Sequence, residues 1–117
     1  MLFICYPNCS TCKKAKAWLD ASGISYTFRD IKQQNPTAEE LRSWLLKSGL
    51  PSKRFFNTSG LPYRALGLKD KLAGMDDAAR IALLSTDGML VKRPILIGDD
   101  FVLVGFKESE WAEHLSN

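Results

Sequence analysis

Residues 2–23 run LFICYPNCSTCKKAKAWLDASG, which is an apolar segment, a Pro-Asn turn and a lysine-rich amphipathic segment. The apolar part, at about 2–6, predicts a β-strand, and the segment from about Ser10 to Ser22 predicts a helix that Gly23 ends. Cys9 then lies at the start of the helix. Because unpaired backbone N–H groups and the positive end of the helix dipole favour an anion there, we expect Cys9 to react as a thiolate.

A second cysteine follows at the spacing of a redox pair. Cys12 lies three residues after Cys9, about one helical turn away. The spacing predicts that Cys12 closes a disulfide with Cys9 and expels whatever Cys9 has bound. Lys13 and Lys14 add positive charge next to the pair, which makes Lys13 a candidate anion-binding residue.

Size and composition limit the class of protein. The chain has 117 residues, 45% of them hydrophobic, with a formal net charge of +3. One core suffices for this length, so we predict a single domain over 1–117, and the small net charge argues against direct nucleic-acid binding. The amino terminus lacks a basic lead and no segment is long enough to cross a bilayer, so we expect a cytoplasmic protein with no membrane contact.

Strand and helix patterns alternate along the chain. Alternation at about 25–29 predicts a second strand, and so short a β–α–β unit implies a parallel pair. Thr37 and Glu40 form a capping box that opens the next helix. The middle of the chain is predicted to be helical but broken by proline and glycine, and its last piece, Asp76 to Ser85, is predicted to bury Ala79, Ala82 and Leu83. A hairpin with strands at 94–97 and 101–104 and a helix at 108–115 complete the predicted elements.

This order of elements is typical of an α/β thioredoxin-like, or glutaredoxin-like, domain with a mixed sheet and an inserted helical subdomain. We assign the thioredoxin-like part to about 1–33 and 89–117, and the helical insertion to about 34–88. The redox motif lies where that fold places it.

Three segments, in order, carry a family resemblance. YPNCSTCKKA (6–15), LPYRALGL (61–68) and RPILI (93–97) together resemble the ArsC/Spx family over nearly the whole chain. That family includes arsenate reductases, glutathione-linked thiol reductases and the Spx transcriptional regulators. The resemblance supports the thioredoxin-like fold and leaves more than one activity open.

The resemblance assigns roles to four residues. Cys9 matches the family's nucleophile, and Cys12 matches the second cysteine of Spx-like and glutaredoxin-like members. Arg93 matches the arginine that faces the nucleophile across the site, and Pro94 matches the cis-proline that presents its neighbouring backbone to a bound chain. We therefore expect Arg93 to hold an anionic part of the substrate.

Two further positions bear on arsenate. The classical arsenate reductases hold the oxyanion with three arginines, and the other two positions correspond here to Asn57 and Lys107. Lysine is a point charge without the fork of a guanidinium, and asparagine carries no charge. These departures predict weak or absent arsenate reduction and leave thiol–disulfide exchange untouched.

The sequence thus predicts a thiol–disulfide oxidoreductase in which Cys9 attacks and Cys12 resolves. Its partners would be a small thiol or a protein disulfide, with glutathione or another thiol donor as co-substrate and no tightly bound cofactor, since no glycine-rich nucleotide motif is present. The alternatives are an arsenate reductase and an Spx-like redox sensor that binds the RNA polymerase α subunit. The resemblance implies that Spx-like regulators carry a charged tail after the final helix. This sequence has no such tail, which argues against the regulator.

The cysteines also have other interpretations. A C-x-x-C can form half of a zinc site, but the other candidate ligands are Cys5 and His114, and no second C-x-x-C or H-x-x-x-H exists, so we predict no metal. Cys5 is predicted to be a small buried apolar residue within the first strand, because free cysteine is among the most buried residue types.

Overall fold

Four short strands form one mixed sheet in the computed structural model, which describes residues 1–115. The strands are β1 (Leu2–Cys5), β2 (Thr27–Asp30), β3 (Ile95–Ile97) and β4 (Val102–Val104), in the spatial order β2-β1-β3-β4. β1 pairs in parallel with β2 and antiparallel with β3, and β3 pairs antiparallel with β4. The predicted parallel pair, the hairpin and the mixed α/β class are confirmed.

The helices flank this sheet and fill the long connection between β2 and β3. They are α1 (Ser10–Ala21), α2 (Ala38–Ser48), α3 (Leu61–Ala65), α4 (Leu68–Lys71), α5 (Asp77–Leu84) and α6 (Glu108–Leu115). Short 3-10 turns cover Ser52–Phe55, Leu72–Gly74 and Gly88–Leu90. Element ends differ from the sequence prediction by one or two residues, as expected for frayed ends.

Two hydrophobic clusters hold the layers together. The first lies between the sheet, α1 and α6, where Phe3, Leu19 and Trp111 are fully buried. Trp111 also donates its indole N–H to the carbonyl of Gly105 at 3.0 Å, so the last helix is fastened to the end of β4. The second cluster packs the helices of the β2–β3 connection on the sheet, through residues such as Ile4 and Leu84.

The buried face of α5 differs from the prediction. We expected Ala79, Ala82 and Leu83 to be buried, but the alanines are exposed and Leu83 is half-buried, while Ile81 and Leu84 face the core. Both sets fit a helical period. The larger side chains bury more apolar area, and this decides which face turns inward.

Arg29 ties the start of the long connection to the edge of the sheet. Its guanidinium donates two hydrogen bonds to the Glu40 carboxylate, at 2.6 and 3.0 Å, and it also donates to the carbonyls of Gln34 and Asn35. Glu40 in turn completes the predicted capping box with Thr37 at the start of α2, which is confirmed. One carboxylate therefore caps a helix and anchors it to β2.

This pair predicts an acid-sensitive contribution to stability. The Arg29 hydrogen bonds lower the pKa of Glu40 from its ordinary value of 4.5 to about 2. Because the pKa is lower in the folded state, the stabilisation is present above 4.5 and is lost as the pH falls toward 2. Glu40 is about a third exposed, so after solvent screening we expect a contribution of about 1 kcal/mol.

Urea unfolding across this pH range tests the contribution. Glu40→Gln keeps a capping side chain but loses the charge, so its free energy of unfolding should fall less with acidification than that of the wild type. Glu39→Gln removes the same charge from the neighbouring exposed position and should keep the wild-type slope. Equal slopes in wild type and Glu40→Gln would contradict the role of the pair.

Candidate functional site

Cys9 is the N-cap residue of α1, as the sequence predicts. Its backbone is extended, its N–H donates to the carbonyl of Tyr6 at 2.9 Å, and its carbonyl accepts the N–H of Lys13 at 3.0 Å. Within residues 1–115 the Cys9 side chain makes no capping hydrogen bond, and the first turn of α1 contains no acidic residue. The half-buried thiol therefore faces the positive end of the helix dipole and is free to bind a substrate atom.

Cys9 opens into a cavity of about 470 Å³. Four basic side chains and one carboxylate line this cavity, namely Arg54, Lys92, Arg93, Lys107 and Glu110. The surplus of positive charge favours an anionic ligand beside the thiol. Asn57, Ser10 and Thr11 also line it.

A short backbone pairing brings the middle of the chain to this cavity. Phe56 and Val91 form an antiparallel bridge. On either side of it, Asn57 N–H donates to the Leu90 carbonyl and Lys92 N–H donates to the Phe55 carbonyl, both at 2.7 Å. The pairing places Arg54 and Asn57 beside the segment that leads into Arg93.

Arg93 has a donor that the protein itself does not use. Its Nε is buried and has no hydrogen-bond partner among the residues that the structure describes. The guanidinium lies 5.5 Å from the centre of the Tyr6 ring, and Nη1 reaches the Val91 carbonyl only at 3.5 Å. Buried donors are nearly always paired, so the free Nε points to a ligand in the cavity.

Pro94 follows Arg93 through a cis peptide bond, as the family resemblance implied. It is buried, and its carbonyl accepts the N–H of Gly105 at 2.8 Å. Gly105 lines the cavity and has φ +78°, a conformation that favours glycine. Pro94 thus connects the Arg93 wall of the cavity to the wall formed after β4.

Cys12 does not pair with Cys9 in this structure. It is 2% exposed and forms a disulfide with Cys5, with 5.7 Å between their Cα atoms. The predicted Cys9–Cys12 pair is therefore not the pair formed here, and Cys5 is buried as predicted but is not a free thiol. Cys12 lies on the face of α1 that packs against the sheet, opposite the last residue of β1, whereas Cys9 lies at the cavity.

The structure thus brings together five of the seven residues predicted for the site. Cys9, Asn57, Arg93 and Lys107 line one cavity and Pro94 supports it, whereas Cys12 lies behind the thiol in the core. Lys13 is exposed on α1 and is not among the lining residues, so its role in binding stays a prediction.

Sequence reasoning missed two of the four basic lining residues, Arg54 and Lys92. Lys92 directly precedes Arg93, so the predicted position of Arg93 could have indicated that Lys92 also lies at the site. Arg54 belongs to a 3-10 turn about forty positions before Arg93, and nothing local to it indicates the cavity. Only the pairing of Phe56 with Val91 brings it there.

Comparison with known proteins identifies the family. The ArsC family model matches residues 5–114. The chain belongs to the ArsC family. An ArsC family related protein from Bacteroides fragilis has a similar crystal structure, with TM-score 0.94 and 55% identity, covering 96% of this chain and 94% of that one. The crystal structure of a "possible arsenate reductase" from Streptococcus mutans has TM-score 0.86 and 46% identity, covering 94% and 95% of the two chains.

The ArsC family likeness extends to regulators. The "Global transcriptional regulator Spx" of Staphylococcus epidermidis is 29% identical over 104 residues, which are 89% of this chain and 78% of that protein. These neighbours establish the ArsC, thioredoxin-like fold, and their names cover both a reductase and a regulator.

Residues 1–115 of this ArsC family chain contain neither a membrane-spanning helix nor a metal-binding cluster. No helix there is long and apolar enough to cross a membrane. In the same range, no group of three or more histidine, cysteine, aspartate or glutamate side chains is arranged to hold a metal ion.

Arg93→Ala should lower activity more than stability. The variant loses charge-assisted hydrogen bonds to an anionic substrate, each worth about 1.5–3 kcal/mol, so kcat/KM for a disulfide substrate should fall roughly 10- to 100-fold. Because the Arg93 Nε has no partner among the described residues, the Tm should change little. Steady-state kinetics and thermal unfolding measure the two effects.

Arg42→Ala is the matched control, because Arg42 is an exposed arginine of α2 outside the cavity. It removes the same charge and should keep wild-type kinetics. A greatly lowered Tm with full turnover in Arg93→Ala would show that Arg93 is structural.

Proposed function

We propose that this ArsC family chain is a thiol–disulfide oxidoreductase in which Cys9 is the nucleophile and Cys12 the resolving cysteine. The observation that carries the proposal is the position of Cys9, a half-buried thiol at the N-terminus of α1 that opens into a basic cavity. The dipole and the cationic side chains attract an anionic thiol compound to Cys9.

The first step is attack of the Cys9 thiolate on one sulfur of a substrate disulfide. A Cys9–substrate disulfide forms, and the other half of the substrate leaves as a thiol. Cys12 then attacks the Cys9 sulfur and releases the second half, so the protein gains one disulfide and the substrate gains two electrons and two protons. Arg93 binds a carboxylate of the substrate during both attacks.

Glutathione, or another low-molecular-weight thiol of the cytoplasm, fits this site as the donor. Its carboxylates complement the four basic side chains, and the cavity is large enough for a small peptide. Donor thiols would restore the reduced protein by attack at Cys9, which is the cysteine that the cavity exposes.

A trapping experiment tests the nucleophile. Cys12→Ser lacks the resolving thiol, so treatment with glutathione disulfide should leave one glutathionyl group on Cys9, seen as one mass adduct that peptide mapping locates. An adduct on Cys5 instead of Cys9, or none at all, would contradict the proposal.

Arsenate reduction is the second candidate, and one observation favours it. Arg54 adds a second guanidinium to the cavity that also holds Lys92, Arg93 and Lys107, so four cationic side chains line the cavity into which Cys9 opens. Asn57 still occupies the position where the resemblance places an arginine. We therefore expect slow arsenate turnover relative to disulfide reduction. Assays of arsenate and of a glutathione mixed disulfide, run side by side with several thiol donors, separate the two activities.

An Spx-like regulator is the third candidate, and it rests on the likeness to Spx. In that case the cysteines act as a sensor and the protein binds the RNA polymerase α subunit. Co-purification with the α subunit, together with absence of disulfide turnover, would favour the regulator over the enzyme.

A further inference from the structure

All three cysteines of the chain meet in one cluster. Cys5 and Cys12 are 1% and 2% exposed, and Cys9 packs against the same cluster from the cavity side. Cys12 lies between the other two, because it is one helical turn from Cys9 along α1 and is bonded to Cys5 of β1. Two cysteines would suffice for the exchange proposed above, and the third is unexplained by it.

We propose that Cys5 is a third redox residue, which takes over the disulfide from the Cys9–Cys12 pair and returns Cys9 to its thiolate form. The proposal rests on the proposed function. It is carried by the disulfide between Cys5 and Cys12, by their burial, and by the free thiol of Cys9 in the same structure.

The transfer is one further thiol–disulfide exchange. The Cys5 thiolate attacks the Cys12 sulfur of the Cys9–Cys12 disulfide, the Cys5–Cys12 bond forms, and the Cys9–Cys12 bond breaks with Cys9 leaving as a thiolate. Cys5 loses its proton to solvent as it attacks, and this proton replaces the one that solvent supplied to the first substrate thiol on its release. After the sequence the substrate is fully reduced, Cys5 and Cys12 are oxidised, and Cys9 is free.

The surroundings of Cys12 suit a sulfur that is attacked from two sides. The backbone N–H of Tyr6 points at the Cys12 Sγ at 3.3 Å, and a donor there stabilises the negative charge that develops on this sulfur during exchange. Cys5 ends β1, and its carbonyl accepts the Ile31 N–H at 3.0 Å, so its backbone is held in place.

Burial also fixes the route by which the protein is reset. A donor thiol cannot reach the Cys5–Cys12 disulfide directly, so Cys9 must attack Cys12, which frees Cys5 and restores the Cys9–Cys12 bond. One low-molecular-weight thiol then attacks Cys9, and a second releases it as a small-molecule disulfide. Electrons therefore pass through Cys9 both when the protein reduces a substrate and when a donor thiol reduces the protein.

Differential alkylation of the oxidised wild-type protein tests the proposal. The reduced protein is oxidised with one equivalent of glutathione disulfide, and the reaction is quenched with acid. The protein is then unfolded in the presence of N-ethylmaleimide, which labels the free thiols. Reduction and iodoacetamide then label the former disulfide cysteines. Trypsin leaves all three cysteines in the peptide 1–13, and fragment spectra place each label.

We expect N-ethylmaleimide on Cys9 in at least about tenfold excess over Cys5 and Cys12, because the Cys5–Cys12 disulfide is the end product. Cys5→Ala, treated in the same way, should instead carry iodoacetamide on both Cys9 and Cys12. Cys9→Ser should oxidise at least about 100-fold more slowly, because its remaining thiols are buried.

Other outcomes overturn the proposal in distinguishable ways. A wild-type end product with Cys9 bonded to Cys12 and Cys5 free would refute the transfer but keep the proposed function. Rapid formation of the Cys5–Cys12 disulfide in Cys9→Ser would refute the role of Cys9 as the residue at which the substrate disulfide first reacts. No reaction of the wild type with glutathione disulfide would refute the transfer and the oxidoreductase together. The mapping of labels on the wild-type protein tests the transfer even if the Cys5→Ala variant does not fold.

Discussion

Cys9→Ser should reduce the turnover of a low-molecular-weight disulfide by at least about 10³-fold, since loss of a catalytic nucleophile costs up to about 10⁶ in kcat in other enzymes. A serine hydroxyl stays protonated at neutral pH and cannot form the mixed disulfide, so no later step takes place. Cys9 is half-buried and its side chain makes no capping hydrogen bond among the described residues, so the fold should tolerate the change. Consumption of the thiol donor, measured with glutathione disulfide as substrate, gives the rate.

Thr11→Ser is a matched control at the same end of the cavity. It removes one methyl group from an exposed lining residue and leaves all three cysteines, so its rate should stay near that of the wild type. More than a tenth of wild-type turnover in a folded Cys9→Ser protein would mean that another group is the nucleophile.

Gly88→Ala should cost the largest amount of stability, about 3 kcal/mol or more, because a methyl group would overlap fixed backbone. A Cβ at this position would lie 1.9 Å from the carbonyl oxygen of Ile31 and 2.8 Å from its carbonyl carbon. Ile31 cannot move away easily, since it follows β2 directly and its N–H is bonded to Cys5 of β1. Urea unfolding monitored by tryptophan fluorescence measures the loss.

Gly74→Ala serves as the control for Gly88→Ala. A Cβ on Gly74 meets no atom within 4 Å, and its φ is not in the left-handed region. The change should therefore alter the free energy of unfolding by no more than about 0.5 kcal/mol, as for an ordinary surface substitution. Equal losses in the two variants would show that the close approach to Ile31 is not what Gly88 provides.

The element order follows from local signals that sequence carries directly. Two short apolar runs on either side of a tight turn predict β3 and β4, and the capping box at Thr37 places the start of α2, because both depend on residues only a few positions apart. The face of α5 was assigned wrongly for a related reason. A helical period allowed more than one apolar face there, and only the neighbouring core selected Ile81 and Leu84.

The candidate site was predicted in part. Cys9 follows from its place before a helix, and Arg93, Pro94, Asn57 and Lys107 follow from the family resemblance. Arg54 could not be predicted, because it reaches the cavity only through the bridge between Phe56 and Val91, thirty-five positions apart in the sequence. Such pairing depends on the packed core and not on any local pattern.

The three cysteines show most directly what each level determines. The sequence by itself placed Cys9 at a helix start and Cys12 one turn later, since helix geometry relates residues three positions apart. The tertiary structure alone decided that Cys12 faces Cys5, because their contact exists only when α1 packs across the end of β1. The spacing of C-x-x-C describes neighbours within one helix, whereas a disulfide forms between whichever sulfur atoms the packing of helix on sheet brings within bonding distance.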